Sequence, residues 1–71
     1  MIFIKRHTYD GHAPETVEFN GILNGQVLHI HVNGPDSIHY YEKTNPEDPD
    51  VKTIVALGLL MLRNDIHYHG E

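Results

Sequence analysis

Two histidines, His29 and His31, stand two residues apart in the segment QVLHIHVNG, residues 26–34. The Val, Leu and Ile around them favour a β-strand, in which alternate side chains point to the same face. The two imidazoles would then lie side by side, with their Cα atoms about 6.5–7 Å apart. Neutral imidazole is a common ligand of Zn²⁺, so both rings could bind one metal ion.

A third histidine, His39, lies in the next β-rich segment, where alternation puts it on the same face as Tyr41. Tyr40 takes the opposite face and is predicted to join the core. If this segment is the neighbouring strand, His39 approaches the first pair of histidines. The predicted ligands of Zn²⁺ or another divalent transition metal are therefore His29, His31 and His39.

The same histidines allow other interpretations, because His-x-His is a short pattern and no His-Glu-x-x-His zinc signature accompanies it. They could form a polar surface that contacts a partner or ligand, they could be buried by self-association, or one of them could be catalytic. The partner or ligand surface would consist of His29, His31, His39 and Tyr41. His7 could join the group if the first strand lies next to it.

Other catalytic chemistry has little support in the sequence. Cysteine is absent, which excludes disulfides, thiolate metal ligands and cysteine nucleophiles. Ser37, the only serine, follows Asp36 in a predicted turn, and neighbouring triad residue types do not make a triad. No glycine-rich phosphate loop is present. No catalytic residue is assigned, and a protein without enzymatic activity is favoured over an enzyme.

Four β-strands are predicted to position these side chains, at residues 2–9, 15–23, 26–32 and 37–43. The dipeptide Asn24-Gly25 separates the second strand from the third and is typical of a two-residue type I′ hairpin turn. Asn20-Gly21 is a competing site for a turn or a bulge.

One α-helix is predicted to follow, from about Pro49 to Asn64. Asp48 suits its N-cap, because a carboxylate there can accept hydrogen bonds from unpaired backbone N–H groups and Pro49 lacks one. Residues 66–71 are a tail, either extended or disordered. The order of elements predicts a single small α+β domain over residues 1–71, in which a four-stranded antiparallel sheet has one C-terminal helix packed on one face (ββββα).

The predicted helix is apolar on more than one side, with nine apolar residues among the twelve from 51 to 62. At about 100° per residue, one stripe faces the sheet, whereas Leu60 lies almost opposite. The stripe consists of Val51, Ile54, Val55, Gly58 and Leu62. Because one small sheet cannot cover both sides, we predict a homodimer or higher homo-oligomer. Its interface would include Leu57, Leu59, Leu60 and Arg63. Cover of Leu60 by a loop or the tail is the alternative.

Charge and targeting signals narrow the possible roles. Five Lys and Arg against ten Asp and Glu give a net charge of −5, which argues against direct nucleic-acid binding. The start of the chain has no signal-peptide pattern, and no apolar run is long enough to span a membrane. A cytoplasmic location is therefore expected.

The preferred function is a small protein-binding module that acts through a protein–protein interface as an oligomeric inhibitor or adaptor. In size and composition the chain is similar to accessory proteins of phages and mobile elements, which often bind a host protein. One alternative is a histidine-cluster metal protein, including a small metal-dependent enzyme. Another is a small-molecule or nucleotide binder whose pocket lies at a subunit interface and uses Tyr41 and the histidines.

Overall fold

The computed structural model of the chain describes residues 1–8 and 15–64. Within them it contains four strands and one helix: β1 Ile2–Thr8, β2 Glu15–Leu23, β3 Gln26–Gly34, β4 Ser37–Tyr40 and α1 Pro49–Arg63. The strands form one antiparallel sheet in the order β1-β2-β3-β4, and α1 packs across β2 and β3. The predicted ββββα fold is confirmed. Tyr9 and the tail 66–71 lie outside the described residues.

The Asn24-Gly25 turn sets the pairing of β2 with β3. Its two residues have φ of 52° and 78°, and a type I′ turn requires positive φ at both positions. The strands then pair outward from the turn without a register shift, as far as Val17 opposite Val32. The predicted hairpin is confirmed, and its register decides which side chains meet on each face.

Gly21 stays inside β2, so the alternative turn at Asn20-Gly21 is not formed. Its backbone pairs with Ile2 of β1, and a Cβ at this position would collide with the carbonyl oxygen of Met1. The missing side chain therefore lets the start of β1 approach β2 closely.

The core lies between α1 and one face of the sheet. Five strand side chains there are exposed by no more than 1%: Val17, Phe19, Leu28, Ile30 and Val32. From the helix, Val51, Val55, Gly58 and Met61 are buried against them. The predicted sheet-facing stripe is confirmed at Val51, Val55 and Gly58, and its other members, Ile54 and Leu62, are half-buried against the same core. A Cβ at Gly58 would lie 3.0 Å from both Phe19 and Val32, so glycine allows the helix to lie close to the sheet.

Asp48 begins the helix as predicted. Its Oδ1 accepts a hydrogen bond from the backbone N–H of Asp50 at 2.8 Å, and Pro49 occupies the first turn. The helix ends at Arg63, one residue before the predicted end, and Asn64 caps it through a hydrogen bond from its backbone N–H to the Leu60 carbonyl.

The end of β4 differs from the prediction. The strand stops at Tyr40 instead of residue 43, because Glu42 has φ of 58° and turns the chain. Tyr40 was expected in the core but is 37% exposed. It does lie opposite Ile30 on the helix side of the sheet, yet α1 packs mainly over β2 and β3. On the edge strand β4, Ile38 is half-buried against the core, whereas Tyr40 stays exposed. β3 in turn continues two residues beyond its predicted end, to Gly34.

Candidate metal centre

The face of the sheet that α1 does not cover, here called the open face, carries a row of polar side chains. Strand pairing places Lys5, Glu18, His31 and His39 directly across from one another, one from each strand. The adjacent row contains His29 and, opposite it on β2, Asn20. Glu18 therefore lies beside His31 and diagonally from His29, within reach of both side chains.

The carboxylate of Glu18 contacts three imidazole rings. Its Oε2 lies 3.0 Å from Nε2 of His29 and 3.2 Å from Nε2 of His31. Its Oε1 lies 3.1 Å from Nε2 of His7. The four side chains, between 12% and 21% exposed, are called the Glu18 cluster. They are therefore partly withdrawn from water but still accessible.

Three members of the Glu18 cluster have the geometry of a metal site. Glu18, His29 and His31 each offer one ligand atom, and these atoms lie within 4.8 Å of one another. Ligands about 2.0–2.1 Å from a tetrahedral Zn²⁺ are about 3.3–3.4 Å apart. The 3.0 and 3.2 Å separations from Glu18 Oε2 to the two rings are close to this value. A cation could enter with small side-chain movements.

The turn after β4 builds the surroundings of this site. The Tyr41 ring lies 4.8 Å from the His29 ring and 4.6 Å from the His31 ring, so it covers both. Glu42 Oε1 lies 3.8 Å from Nδ1 of His29, the nitrogen that faces away from Glu18. Metal-binding histidines commonly have a carboxylate or carbonyl at their second nitrogen, which orients the ring.

Thr44 holds this turn against β3. The backbone N–H of His29 donates to Thr44 Oγ1 at 2.8 Å, and the backbone N–H of Tyr41 donates to the His29 carbonyl at 2.9 Å. Glu42 has positive φ, which is uncommon for a residue other than glycine and is often found at functional sites. Strand alternation places Tyr40 on the helix side and Tyr41 on the open face.

Electrostatics keep Glu18 in its charged form. Burial alone would raise the pKa of Glu18, but hydrogen bonds from His29 and His31, the charge of His31 and the hydrogen bond from His7 outweigh it. The pKa of Glu18 is therefore lowered from its usual value. A carboxylate must be ionised to bind a metal, and Glu18 meets this condition near neutral pH.

The sequence-predicted ligands are only partly brought together. His29 and His31 lie in the same group, whereas His39 is outside it, with its ring 6.3 Å from that of Tyr41. His7 joins through Glu18, although β1 is adjacent to β2 and not to β3. The sequence reading missed Glu18. Glu18 could have been found from the Asn24-Gly25 turn. A two-residue turn there pairs Leu23 with Gln26, and counting outward along both strands places Glu18 opposite His31.

A second surface lies on the outer side of α1. Leu57 and Leu60 are 42% and 43% exposed, Arg63 is exposed and Leu59 is half-buried. A groove of about 870 Å³ runs between the helix and the turn after β3, lined mainly by Pro35, Ala56, Leu59, Leu60 and Leu62. Of the four residues predicted for an interface, Leu59, Leu60 and Arg63 line this groove, and Leu57 is exposed elsewhere on the helix.

An ion pair closes one end of this groove. Arg6 Nε lies 2.6 Å from Glu15 Oε2, and Arg6 Nη1 donates to the Met61 carbonyl at 3.1 Å. The guanidinium thereby links β1, β2 and the last turn of α1.

No protein-family model, no curated protein and no solved structure matches the chain. In the part of the chain that the structure describes, no helix is long and apolar enough to cross a membrane.

Proposed function

We propose that the protein binds a divalent transition metal ion, with Glu18, His29 and His31 as its protein ligands. The observation that carries the proposal is the placement of Glu18 Oε2 at 3.0 and 3.2 Å from the Nε2 atoms of two histidines. Two imidazoles and one carboxylate suit Zn²⁺ and other first-row divalent metals.

The surroundings support this assignment over that of a solvated polar surface. Glu42 Oε1 lies 3.8 Å from the second ring nitrogen of His29, and Tyr41 covers both rings. Three protein ligands leave at least one coordination position for water or an exogenous molecule. This is the arrangement of a site that exchanges ligands, not of a closed structural zinc site.

The test is a zinc titration of untagged, chelator-treated protein, with competition against a chromophoric chelator and elemental analysis of the dialysed complex. His67 and His69 repeat the His-x-His spacing, so both are replaced by alanine in the starting chain. We expect one zinc per chain. We expect the double substitution His29→Ala/His31→Ala and the single substitution Glu18→Gln to weaken binding at least tenfold.

Two control variants make the result specific. Glu47→Gln removes a carboxylate that is 81% exposed on the helix side, and zinc affinity should not change. His39→Ala distinguishes this ligand set from the one expected from the sequence, and here too affinity should be retained. Loss of zinc binding in His39→Ala, or unchanged binding in Glu18→Gln, would contradict the proposed site.

A second candidate function is protein binding through the outer side of α1, in a homo-oligomer or with another protein as an inhibitor or adaptor. The exposed Leu57 and Leu60 beside an apolar groove favour it. Light scattering at about 100 µM should give a mass above that of one chain, and Leu60→Lys should return it to the monomer value. Val27→Lys is the matched control, because Val27 is also 43% exposed but lies on the open face.

A monodisperse monomer for the unsubstituted chain would contradict self-association by α1. A change in mass in Val27→Lys but not in Leu60→Lys would move the interface to the open face. The cytoplasmic location and the similarity in profile to phage accessory proteins stay predictions.

A further inference from the structure

The open face has an apolar end beside the Glu18 cluster. Met1, Phe3, Ile22 and Val27 all point to this face, and they are 85%, 65%, 49% and 43% exposed. Phe3 lies opposite Asn20, which in turn lies opposite His29, so the apolar end begins in the same row as a metal ligand. Contiguous exposed apolar side chains commonly mark a binding surface.

A cation stands next to both features. Lys5 is exposed, lies directly opposite Glu18 and is two residues from Phe3 on the same face of β1. Both carboxylate oxygens of Glu18 are engaged by the histidines instead of by Lys5. The ammonium group is therefore available to a ligand bound beside the cluster.

The charges near a loaded site would favour an anion. A divalent cation and Lys5 together exceed the negative charges of Glu18 and Glu42, the two carboxylates that contact the histidines. An oxyanion can take the open coordination position and pair with Lys5, because metal and ammonium attract the same group. Phe3 is then placed to pack against whatever the oxyanion carries.

We propose that the metal site takes a small organic oxyanion, a carboxylate or a phosphate, that carries an apolar group. The oxyanion binds the metal and Lys5, and the apolar group packs on Phe3 and the neighbouring side chains Ile22 and Val27. This proposal rests on the proposed metal binding and adds the class of ligand.

The experiment is calorimetric titration of zinc-loaded protein with benzoate and phenyl phosphate, compared with acetate and inorganic phosphate. Burial of a phenyl ring should make the first two bind roughly tenfold more tightly than their small counterparts. Phe3→Ala should remove that difference, and Lys5→Met should weaken all four anions. Zinc affinity should be unchanged in Phe3→Ala and should not fall in Lys5→Met, because loss of a neighbouring positive charge favours a bound cation.

Two substitutions on α1 are the matched controls. Lys52→Met removes another exposed lysine and Leu57→Ala another exposed apolar side chain, and neither should change anion binding. Metal-free protein should bind benzoate and phenyl phosphate at least tenfold more weakly than the loaded protein, because the metal supplies the main attraction.

The failures of the two proposals can be told apart. Absence of zinc binding, measured before any anion is added, overturns both. Zinc binding without anion binding overturns only the ligand class, as does equal affinity for acetate and benzoate. A loaded dimer that Phe3→Ala converts to a monomer would also overturn it, because a second copy would then occupy the apolar end.

Discussion

The two faces of the sheet use alternate residues of the same strands for different purposes. On the helix side, Phe19 and Ile30 are exposed by 1% and 0%, and both belong to the apolar core. On the open face, their sequence neighbours Glu18 and His31 are 20% and 12% exposed and contact each other. Stability and candidate chemistry are thus separated by one residue along the chain, so substitutions on one face can be tested with little disturbance of the other.

The largest expected effect is a loss of stability caused by a substitution on the helix side of the sheet. Phe19→Ala should lower the free energy of unfolding by about 3–5 kcal/mol, since it leaves a cavity between the sheet and α1. That is comparable with the whole stability of a small domain. Urea denaturation followed by circular dichroism measures it. Phe3→Ala removes the same side chain from the open face, where it is 65% exposed, and should cost less than about 0.5 kcal/mol. Equal costs would refute the contrast.

Zinc should stabilise the protein only through the open face. At a free zinc concentration of 100 times the dissociation constant, the gain is about 2.7 kcal/mol. Thermal unfolding with and without zinc should show this gain in the unsubstituted protein and lose it in His29→Ala/His31→Ala. The same gain in both proteins would place the metal elsewhere.

Gly58→Ala tests whether a change in helix packing alters stability without affecting the open face. Alanine gains about 1 kcal/mol of helix propensity over glycine. Its Cβ, however, would lie 3.0 Å from Phe19 and Val32, and such overpacking costs about 1–3 kcal/mol. We expect a net loss of about 1 kcal/mol in urea denaturation, with zinc affinity unchanged. A net gain would mean that α1 can move away from the sheet freely.

The smallest expected effect is the pH dependence of the stability that Glu18 contributes to the metal-free protein. Because the pKa of Glu18 is lowered on folding, its contribution to stability is complete above 4.5 and is lost as the pH falls through the folded-state pKa. The groups around it are His7, His29, His31 and Lys5, with Glu42 beside His29.

Urea denaturation between pH 3 and pH 6, compared between the unsubstituted protein and Glu18→Gln, measures this contribution. The difference in unfolding free energy should be below about 1 kcal/mol, and it should shrink only at the acid end of this range. A difference that grows as the pH falls would have the wrong sign for a lowered pKa.

The fold could be predicted from the sequence because the patterns that specify it are local. The alternation of apolar residues, the Asn24-Gly25 turn and the Asp48 cap each act within a few neighbouring residues, and all agree with the structure. The pair His29 and His31 was accessible for the same reason. Glu18 could also have been predicted as a member of the site, since a two-residue turn determines the cross-strand partners of a hairpin.

The remaining features depend on packing between distant elements. Nothing near Tyr40 indicates that α1 lies mainly over β2 and β3 and leaves this side chain exposed. The positive φ of Glu42, which turns the chain before the predicted end of β4, has no glycine or asparagine to signal it. His39 was placed with the other histidines by strand alternation alone, and alternation identifies a face but not the direction in which a side chain reaches along it.

All three proposed ligands come from a single hairpin, with His29 and His31 only eleven and thirteen residues from Glu18 along the chain. Closing so short a loop costs little entropy, and hairpins form within microseconds. The ligands can therefore meet before α1 docks on the other side of the sheet. A metal ion bound there would stabilise an early species on the folding pathway, and its presence would be read in the rate of refolding as well as in the stability of the finished protein.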